Sequence, residues 1–490
     1  MDYILASVII LSAAALGAPL LQFLGRRVKL GAYVSITAVA ASIVLIAANT
    51  ATGVTSTGFG SLLVSDPLGD LFALVVLCVT LAVAVASLYT SPGGPSLSSY
   101  YSLLTFSALG MLLLSYSADL LMLFVAWELM SLPTYVLAGF DKKRAESNEA
   151  AAKYAILGAL SSAIILYAIS LTYGVTGTTQ ISGVVAKIAS ESFNPLVSVA
   201  IILFIVGFGF KMSIVPFHMW VPDAYEGAPP AVATLFASAT KKAGFVAAIR
   251  VVLAVATVYV LAPNSVFTLA NVFAVLAVVT MTLGNVAALT QKSMTRLLAY
   301  SSIAQAGYIL VGFAIFAYSQ QTGLYTYNAV LGMTGSLFHI VNHAIMKGAA
   351  FLAATLVLIQ LKRSDLDIYN GLAKRMPITA FTLAISFLAL GGIPPLSGFW
   401  SKLLLFLSVI NTPLAWVAVA AILNSAFSLG YYFWVIKRMY LDQGESTERV
   451  NEPSGFVVIF AVLVGLMIGI GLFPQQFIAF AHAAATSLFT

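Results

Sequence analysis

The chain has 490 residues, of which 61% are hydrophobic and only 8% are charged. A soluble domain carries about 25% charged residues and needs that polar surface to cover its core, so this composition excludes a soluble globular fold. The formal charge is +6. Cys78 is the single cysteine, so this chain cannot form a disulfide framework, a CxxC zinc site or an iron–sulfur site from its own cysteines.

The apolar runs determine the fold class. In lipid, only helices and closed barrels satisfy every backbone hydrogen-bonding group. Barrel strands would alternate polar and apolar residues in segments of about ten. Here the runs are continuous and near 20 residues, the length at which a helix crosses about 30 Å of hydrocarbon. The sequence therefore predicts an all-α polytopic membrane protein.

Fourteen spans are predicted. The first follows Asp2 without a basic n-region, so it is interpreted as a retained span and not a signal peptide. Two spans exceed one bilayer width, which predicts tilt, a break or an extension into water. In chain order, the spans are 3–24, 29–48, 69–90, 100–117, 118–140, 149–172, 196–218, 230–257, 264–288, 293–317, 324–360, 378–410, 413–440 and 454–474.

The lysines and arginines of the loops and their flanking turns fall almost entirely on one side of the membrane. Lys187 is the only one in the loops after even-numbered spans. This asymmetry predicts that both termini are non-cytoplasmic, in what we expect to be a prokaryotic plasma membrane, and it accounts for the net charge without nucleic acid. The sixteen on the other side are Arg26, Arg27, Lys29, Lys142, Lys143, Arg144, Lys153, Lys292, Arg296, Lys362, Arg363, Lys374, Arg375, Lys437, Arg438 and Arg449.

Several charges lie within the spans, where each costs at least about 2.5–3.5 kcal/mol unless it has a partner, a hydrated cavity or a neutral form. Glu128 lies mid-span and is too short to reach either interface, which favours a functional role. Arg250 lies seven residues from the end of its span, so we expect snorkelling or structural pairing. The other in-span charges are Lys211, Lys241, Lys242, Lys347 and Lys402.

Two spans contain helix breakers beside a lysine. Pro216 follows Lys211, and the run 391–395 (GGIPP) precedes Lys402. Broken helices in membranes commonly mark ion sites, and an offset of five spans predicts an inverted repeat. The predicted division is 1–99 for the first three helices, 100–257 and 264–440 for two inverted five-helix repeats, and 454–490 for a last helix and tail.

His339, His343 and Lys347 recur every four residues, so they share one helical face over about 12 Å. Three titratable groups on one stripe favour a hydrated proton relay over a structural network. Zinc is disfavoured because no third ligand is evident. Ser301, Ser302 and Gln305 are candidates for additional links, although small polar residues also serve helix packing.

A glutamate and a lysine could together control the release of a proton. Two unit charges about 4 Å apart interact by roughly 4 kcal/mol at an effective dielectric of 20. If Glu128 approaches Lys211, the ammonium is stabilised, and if the pair separates, Lys211 becomes a better donor. We therefore hypothesise a two-state acid–amine element.

Six stretches between residues 115 and 410 resemble one protein family, and they occur in the same order as in that family. The family is that of the antiporter-like membrane subunits of respiratory complex I, and the resemblance is closest to the N-type subunit. The stretches are LLMLFVAWELMSLPTYVLAGF (120–140), SNEAAAKYAILGALSSAIILYAISLTYGVTGTT (147–179), KMSIVPFHMWVPDAYEGAPPAVATLF (211–236), NVAALTQKSMTRLLAYSSIAQAGY (285–308), HIVNHAIMKGAAFL (339–352) and GGIPPLSGFWSKLLLF (391–406).

The resemblance implies fourteen core helices, inverted repeats, two broken helices and a hydrated mid-membrane axis. It implies that Glu128 and Lys211 are the family's glutamate and its lysine partner, and that Lys402 is the charged residue of the broken twelfth helix. Lysine at that position and the absence of a long lateral helix favour the N-type. For the eighth helix the resemblance favours Lys241. Adjacent residues point about 100° apart, so only one of Lys241 and Lys242 is expected to face the axis.

The resemblance also implies partners. We expect other antiporter-like and small membrane subunits, with NADH, flavin, iron–sulfur clusters and quinone bound by partner chains and no cofactor in this one. The alternatives are a subunit of a multi-subunit sodium/proton antiporter, a membrane subunit of a hydrogenase or deazaflavin-dependent dehydrogenase, and a scaffold with a vestigial channel. A sodium path would predict clustered carboxylates and carbonyls in the spans, whereas Glu128 is the one acid well inside a span, which favours protons.

Overall fold

A computed structural model describes residues 1–21, 29–90, 96–190, 193–259 and 268–489. Helices dominate these ranges, which confirms the predicted fold class. A two-stranded antiparallel hairpin of β1 (Ser56–Gly58) and β2 (Leu63–Ser65) interrupts them. Arg26 and Arg27, and residues 260–263 of the predicted connection between the eighth and ninth spans, lie outside the described residues.

The first half of the chain contains α1 to α12. These helices are α1 (Asp2–Leu21), α2 (Leu30–Thr52), α3 (Pro67–Thr90), α4 (Leu97–Tyr116), α5 (Leu120–Ala138), α6 (Ala145–Thr176), α7 (Ile181–Ser190), α8 (Pro195–Met212), α9 (Trp220–Gly227), α10 (Pro230–Leu235), α11 (Lys241–Ala248) and α12 (Ala254–Ala256).

The second half contains α13 to α21 and a 3₁₀ turn at Leu366–Tyr369. These helices are α13 (Leu269–Leu289), α14 (Met294–Thr322), α15 (Thr326–Leu361), α16 (Leu372–Arg375), α17 (Pro377–Gly391), α18 (Ser397–Ile410), α19 (Ala415–Tyr440), α20 (Ser454–Leu472) and α21 (Gln475–Thr486).

Twelve of the described helices are long and apolar enough to cross a membrane. The other two predicted spans are interrupted segments. The eighth comprises α10, α11 and α12, joined by π-helical turns at Phe236–Thr240 and Ile249–Leu253, and the twelfth comprises α17 and α18. The overlong eleventh span is the continuous 36-residue helix α15. The division into two inverted repeats remains a prediction.

The breaks lie where the prolines predict them. Helix α8 ends at Met212 and is followed by Ser213, which is left-handed at φ 60°. Helix α17 ends at Gly391 and is followed by Gly392 with φ 83°. A helical carbonyl accepts from the N–H four residues later, and proline has none. Pro394 and Pro395 therefore leave the carbonyls of Leu390 and Gly391 without helical partners.

Close packing brings the eighth predicted span against the first break. A Cβ at Gly244 would lie 2.9 Å from both Lys211 Cβ and Met212 N, which is too close for any side chain. Glycine at this position therefore allows α11 to contact the end of α8, with the Lys241–Lys242 pair at its start.

Arg250 is anchored by an ion pair. Its guanidinium donates to both carboxylate oxygens of Asp66, at 2.8 and 3.0 Å, and to the carbonyl of Ser115 at 2.8 Å. The structural-pairing interpretation is therefore correct. The pair connects the eighth predicted span to the start of α3.

We expect Arg250→Met to destabilise the protein by about 3 kcal/mol, because it leaves the carboxylate of a mostly buried pair without its partner. The side chains of Arg250 and Asp66 are 8% and 17% exposed. Thermal unfolding of the detergent-solubilised protein measures the loss. Arg363→Met, which removes exposed ion pairs with Asp365 and Glu445, is the matched control and should cost much less, because exposed pairs contribute little. Equal losses in the two variants would contradict the assignment.

A charged network connects α6, α9 and α14 on the side that holds most of the basic residues, here termed the basic side. Asp223 accepts from Lys153 at 2.7 Å and from Arg296 at 3.0 Å, and Arg296 also donates to Glu226. Partial burial of Asp223 opposes its ionisation, but the hydrogen bonds from Lys153 and Arg296 outweigh this effect and lower the pKa of its carboxyl.

A carboxyl with a lowered folded-state pKa stabilises the fold above its ordinary pKa of about 3.9, and the stabilisation is lost as the pH falls through the lowered value. We therefore expect Asp223→Asn to reduce the Tm at pH 7, and the difference from wild type to close below about pH 3. Tryptophan fluorescence during heating at a series of pH values tests this. Glu448→Gln, at an exposed site on the same side, should leave the Tm unchanged. A difference that widened in acid would refute the prediction.

Candidate functional site

The first group of predicted residues lies around the end of α8. Lys211 is fully buried, and its ammonium donates to the Tyr154 hydroxyl at 2.7 Å. It also lies 4.7 Å from the Tyr154 ring centroid and 5.1 Å from that of Tyr135. Lys211 is thus held by one hydroxyl and by aromatic faces, which attract cations through their quadrupoles.

Glu128 lies on α5 near this group. Its Oε1 atom is buried and has no hydrogen-bond partner among the described residues. No ion pair within 4.0 Å connects Glu128 to Lys211 in the described part of the chain, although the carboxylate interacts with Lys211 electrostatically through space. The structure therefore shows the two groups separated, and the two-state hypothesis remains a prediction.

Two serine hydroxyls of α5 and α6 are also buried without a partner. Like Glu128 Oε1, Ser131 Oγ and Ser162 Oγ have no hydrogen-bond partner among the described residues. Buried polar atoms normally bind either protein or ordered water, so ordered water is the expected partner of these atoms.

Both lysines at the start of α11 lie inside the protein. Lys241 donates to the carbonyl and hydroxyl of Ser302, at 3.0 and 2.9 Å, and Lys242 contacts His343 Nδ1. Which of the two faces the proton path remains a prediction. Their directions do differ, but α14 lies in one direction and α15 in the other, so each lysine meets a polar partner.

The three titratable residues predicted to share one face of α15 do lie together inside the protein. His339, His343 and Lys347 are all fully buried. The two imidazole centroids are 6.3 Å apart. His339 binds Gln305 Oε1 through Nε2 and Ser401 Oγ through Nδ1, both at 2.9 Å.

Lys347 donates to Ser301 Oγ at 2.6 Å, and that hydroxyl also bonds to Tyr432. The three predicted small polar links, at 301, 302 and 305, are thus all in contact with titratable groups. The sequence analysis missed Tyr154 and Tyr432, the tyrosines that bind Lys211 and Ser301. Their only signal is a phenol within an apolar helix, which is also common in ordinary cores.

Lys402 occupies the second break. Its ammonium donates to the carbonyls of Leu390 and Gly391, at 2.8 and 3.3 Å, and to Ser425 Oγ at 2.9 Å. These are the two carbonyls left free by the prolines four residues later. The break thus creates the binding site for this lysine, and Gln305 also donates to Leu390 O at 3.2 Å.

We term eight titratable residues that lie in or near the spans between Glu128 and Lys402 the polar row. Its members are Glu128, Lys211, Lys241, Lys242, Lys347, His339, His343 and Lys402. Within it, five lysines and two histidines accompany a single acid. Two unit charges 10 Å apart repel by about 1.7 kcal/mol at a dielectric of 20, and burial disfavours each charge further. The bases therefore cannot all be protonated together, which leaves acceptors to which a proton can move.

A family model described as "NADH:quinone oxidoreductase/Mrp antiporter, TM" matches residues 117–428. This chain belongs to that family. The matched region contains every residue of the polar row, so this row lies in the part of the chain that defines the family.

Individual relatives agree. The chain is 42% identical over 441 residues to F(420)H(2) dehydrogenase subunit N of Methanosarcina mazei, covering 88% of this chain and 86% of the relative. It is 38% identical to NADH-quinone oxidoreductase subunit N of Desulfitobacterium hafniense, covering 86% and 85%. A chain of respiratory complex I from Thermus thermophilus, determined with bound aureothin, superposes with a TM-score of 0.79 at 30% identity, covering 96% and 98%. These findings confirm the resemblance to the N-type subunit.

Tyr154→Phe removes the hydroxyl that accepts from Lys211. A buried donor without its partner costs about 1–3 kcal/mol, so we expect proton transport by the assembled complex in vesicles to fall roughly tenfold, the change that corresponds to 1.4 kcal/mol. Tyr135→Phe is the matched control, because Tyr135 approaches Lys211 with its ring alone, and its loss should be much smaller. Equal transport in Tyr154→Phe and wild type would rule out this role.

Proposed function

We propose that this chain is the N-type proton-translocating membrane subunit of a redox-driven complex of the NADH:quinone oxidoreductase type. The polar row is the observation that carries the proposal. It extends from α5 to the second break through buried groups that bind and release protons. The subunit-N relatives support the coupling to a dehydrogenase.

The residues of the polar row have different roles in the proposed proton transfer. Glu128 sets the charge state of Lys211 according to their separation. Lys241 and Lys347, each bound to a serine of α14, hold protons in the middle of the row. His339 and His343 connect this region to Lys402 at the second break.

Electrons would reach the complex through other chains. We propose that partner subunits bind the electron donor, flavin, iron–sulfur clusters and quinone, and that this chain contacts further membrane subunits. The donor is NADH or, as in the name of the Methanosarcina relative, reduced F420. We also propose a prokaryotic plasma membrane with the basic side facing the cytoplasm, as the loop charges indicate.

A second candidate is a multi-subunit sodium/proton antiporter, because the family description includes Mrp antiporters. A sodium ion prefers several oxygen ligands, as hard cations do. The carbonyls of Leu390 and Gly391 at the second break are oxygen atoms of this kind, but the Lys402 ammonium already binds them. This arrangement favours protons.

Glu128→Gln tests the proposal. The variant keeps the side-chain volume but removes the charge, so we expect proton transport per electron transferred to fall at least fivefold in vesicles that contain the complete complex. Glu149→Gln, at an exposed glutamate that pairs with Lys153 on the basic side, should transport protons like wild type. A normal proton gradient in Glu128→Gln would refute the proposed role of this residue.

The same vesicles separate the two candidate functions. Transport that persists without sodium and depends on an electron donor supports the redox pump. Transport that requires sodium and no donor supports the antiporter. Mass spectrometry of the native complex would identify whether the donor-binding partner is an NADH- or an F420-dependent subunit.

A further inference from the structure

Lys242 has a different environment from its neighbour Lys241. Both side chains are at most 1% exposed. Among the described residues, the Lys241 ammonium donates hydrogen bonds only to oxygen atoms of Ser302, whereas Lys242 contacts an imidazole nitrogen of His343. We propose that Lys242 is a second proton carrier of this helix and exchanges protons directly with His343. The inference rests on the proposed function and adds a residue to its path.

The partners decide which lysine can transfer a proton in one step. A backbone carbonyl and a serine hydroxyl accept a hydrogen bond from Lys241, but neither becomes a stable cation by taking the proton. An imidazole does, because its ordinary pKa lies near neutrality. Among the contacts of the two lysines, the one between Lys242 and His343 is thus the contact that joins two titratable bases.

The transfer balances with one proton. The N–H bond of the Lys242 ammonium breaks, a new N–H bond forms at His343 Nδ1, and the products are a neutral amine and an imidazolium. The imidazolium then releases the proton from Nε2. This release leaves His343 protonated at Nδ1, so the ring must turn over, or the proton must move between its two nitrogens, before Lys242, recharged by the next proton, can donate to Nδ1 again.

The second nitrogen of His343 is available for this release. His343 Nε2 is buried and has no hydrogen-bond partner among the described residues. The His339 ring is centred 6.3 Å away on the same helix. His339 in turn contacts Ser401, the residue next to Lys402. Lys242 therefore connects α11 to the second break, along a branch that Lys241 does not contact.

The other charged groups around the pair do not replace Lys242. Lys241 and Lys347 are cations when protonated and repel a proton on His343, and His339 does the same. None of the hydrogen bonds of these three residues reaches His343. The contact with Lys242 is thus the direct link to His343 in the described part of the row.

A structural alternative is that the contact only holds α11 against α15. Lys242→Gln and Lys242→Arg separate the two roles, since glutamine still donates a hydrogen bond but does not titrate, and arginine stays protonated. A proton carrier predicts that both variants lose at least fivefold in protons transported per electron by the purified complex in vesicles. Full transport in either variant would overturn the proposal.

A double-mutant cycle with His343→Gln supplies the second measurement. If Lys242 and His343 act in series, the double variant Lys242→Gln/His343→Gln is no worse than either single variant, whereas independent roles give multiplied losses and overturn the proposal. The amount of intact complex recovered checks assembly. If Lys242→Gln does not assemble, Lys242→Met, with an unbranched apolar chain of similar length, takes its place in the cycle.

Two controls separate failure of this inference from failure of the proposed function. Lys143→Gln, at an exposed loop position on the basic side, should behave as wild type. Glu128→Gln reports on the path as a whole. If Glu128→Gln loses transport but Lys242→Gln does not, only the proposed role of Lys242 is rejected. If both variants transport protons like wild type, the proposed function is rejected as well.

Discussion

A buried ammonium must find acceptors, because the hydrocarbon around this bundle offers none. The polar row depends on that constraint. Each of its lysines is turned toward an oxygen or nitrogen atom of a neighbouring helix: a phenol for Lys211, a serine for Lys241 and for Lys347. The lysines thereby fix which helices must be adjacent, and the row holds together the part of the bundle that the family model matches.

The two breaks meet this constraint in different ways. Lys402 lies beyond its break and binds two carbonyls that Pro394 and Pro395 leave free, together with a serine. Lys211 lies before its break and binds one hydroxyl. Prolines alone therefore do not create a lysine site. The lysine must also be placed where its side chain can turn back to the carbonyls, which requires it to follow the break.

Sequence patterns could predict the spans, the breaks and most members of the row, because each follows from a local rule. Spacing of four placed His339, His343 and Lys347 on one face, and proline placed the breaks. What could not be predicted depends on neighbours far away in sequence. The partner of Arg250 is Asp66, 184 residues distant, and no periodicity identifies such a pair.

The Lys241–Lys242 pair shows this limit most clearly. Helical geometry correctly predicts that adjacent side chains point about 100° apart, but it says nothing about what lies in each direction. The conclusion that one lysine would leave the axis assumed a single polar neighbour. In the structure α14 and α15 both offer one, and the π-helical turn just before Lys241 left no trace in the hydrophobic pattern.

The position of the acid follows from the same count of acceptors. Lys402 has three oxygen partners and one aromatic ring nearby, whereas Lys211 has one hydroxyl and three aromatic rings. A charge placed near Lys211 therefore changes the protonation of that site more than it would change the well-satisfied site at the second break. Glu128 lies at the end of the row near Lys211, which has fewer oxygen partners than Lys402. A small movement of the Glu128 carboxylate therefore has a large effect on whether Lys211 keeps or releases its proton.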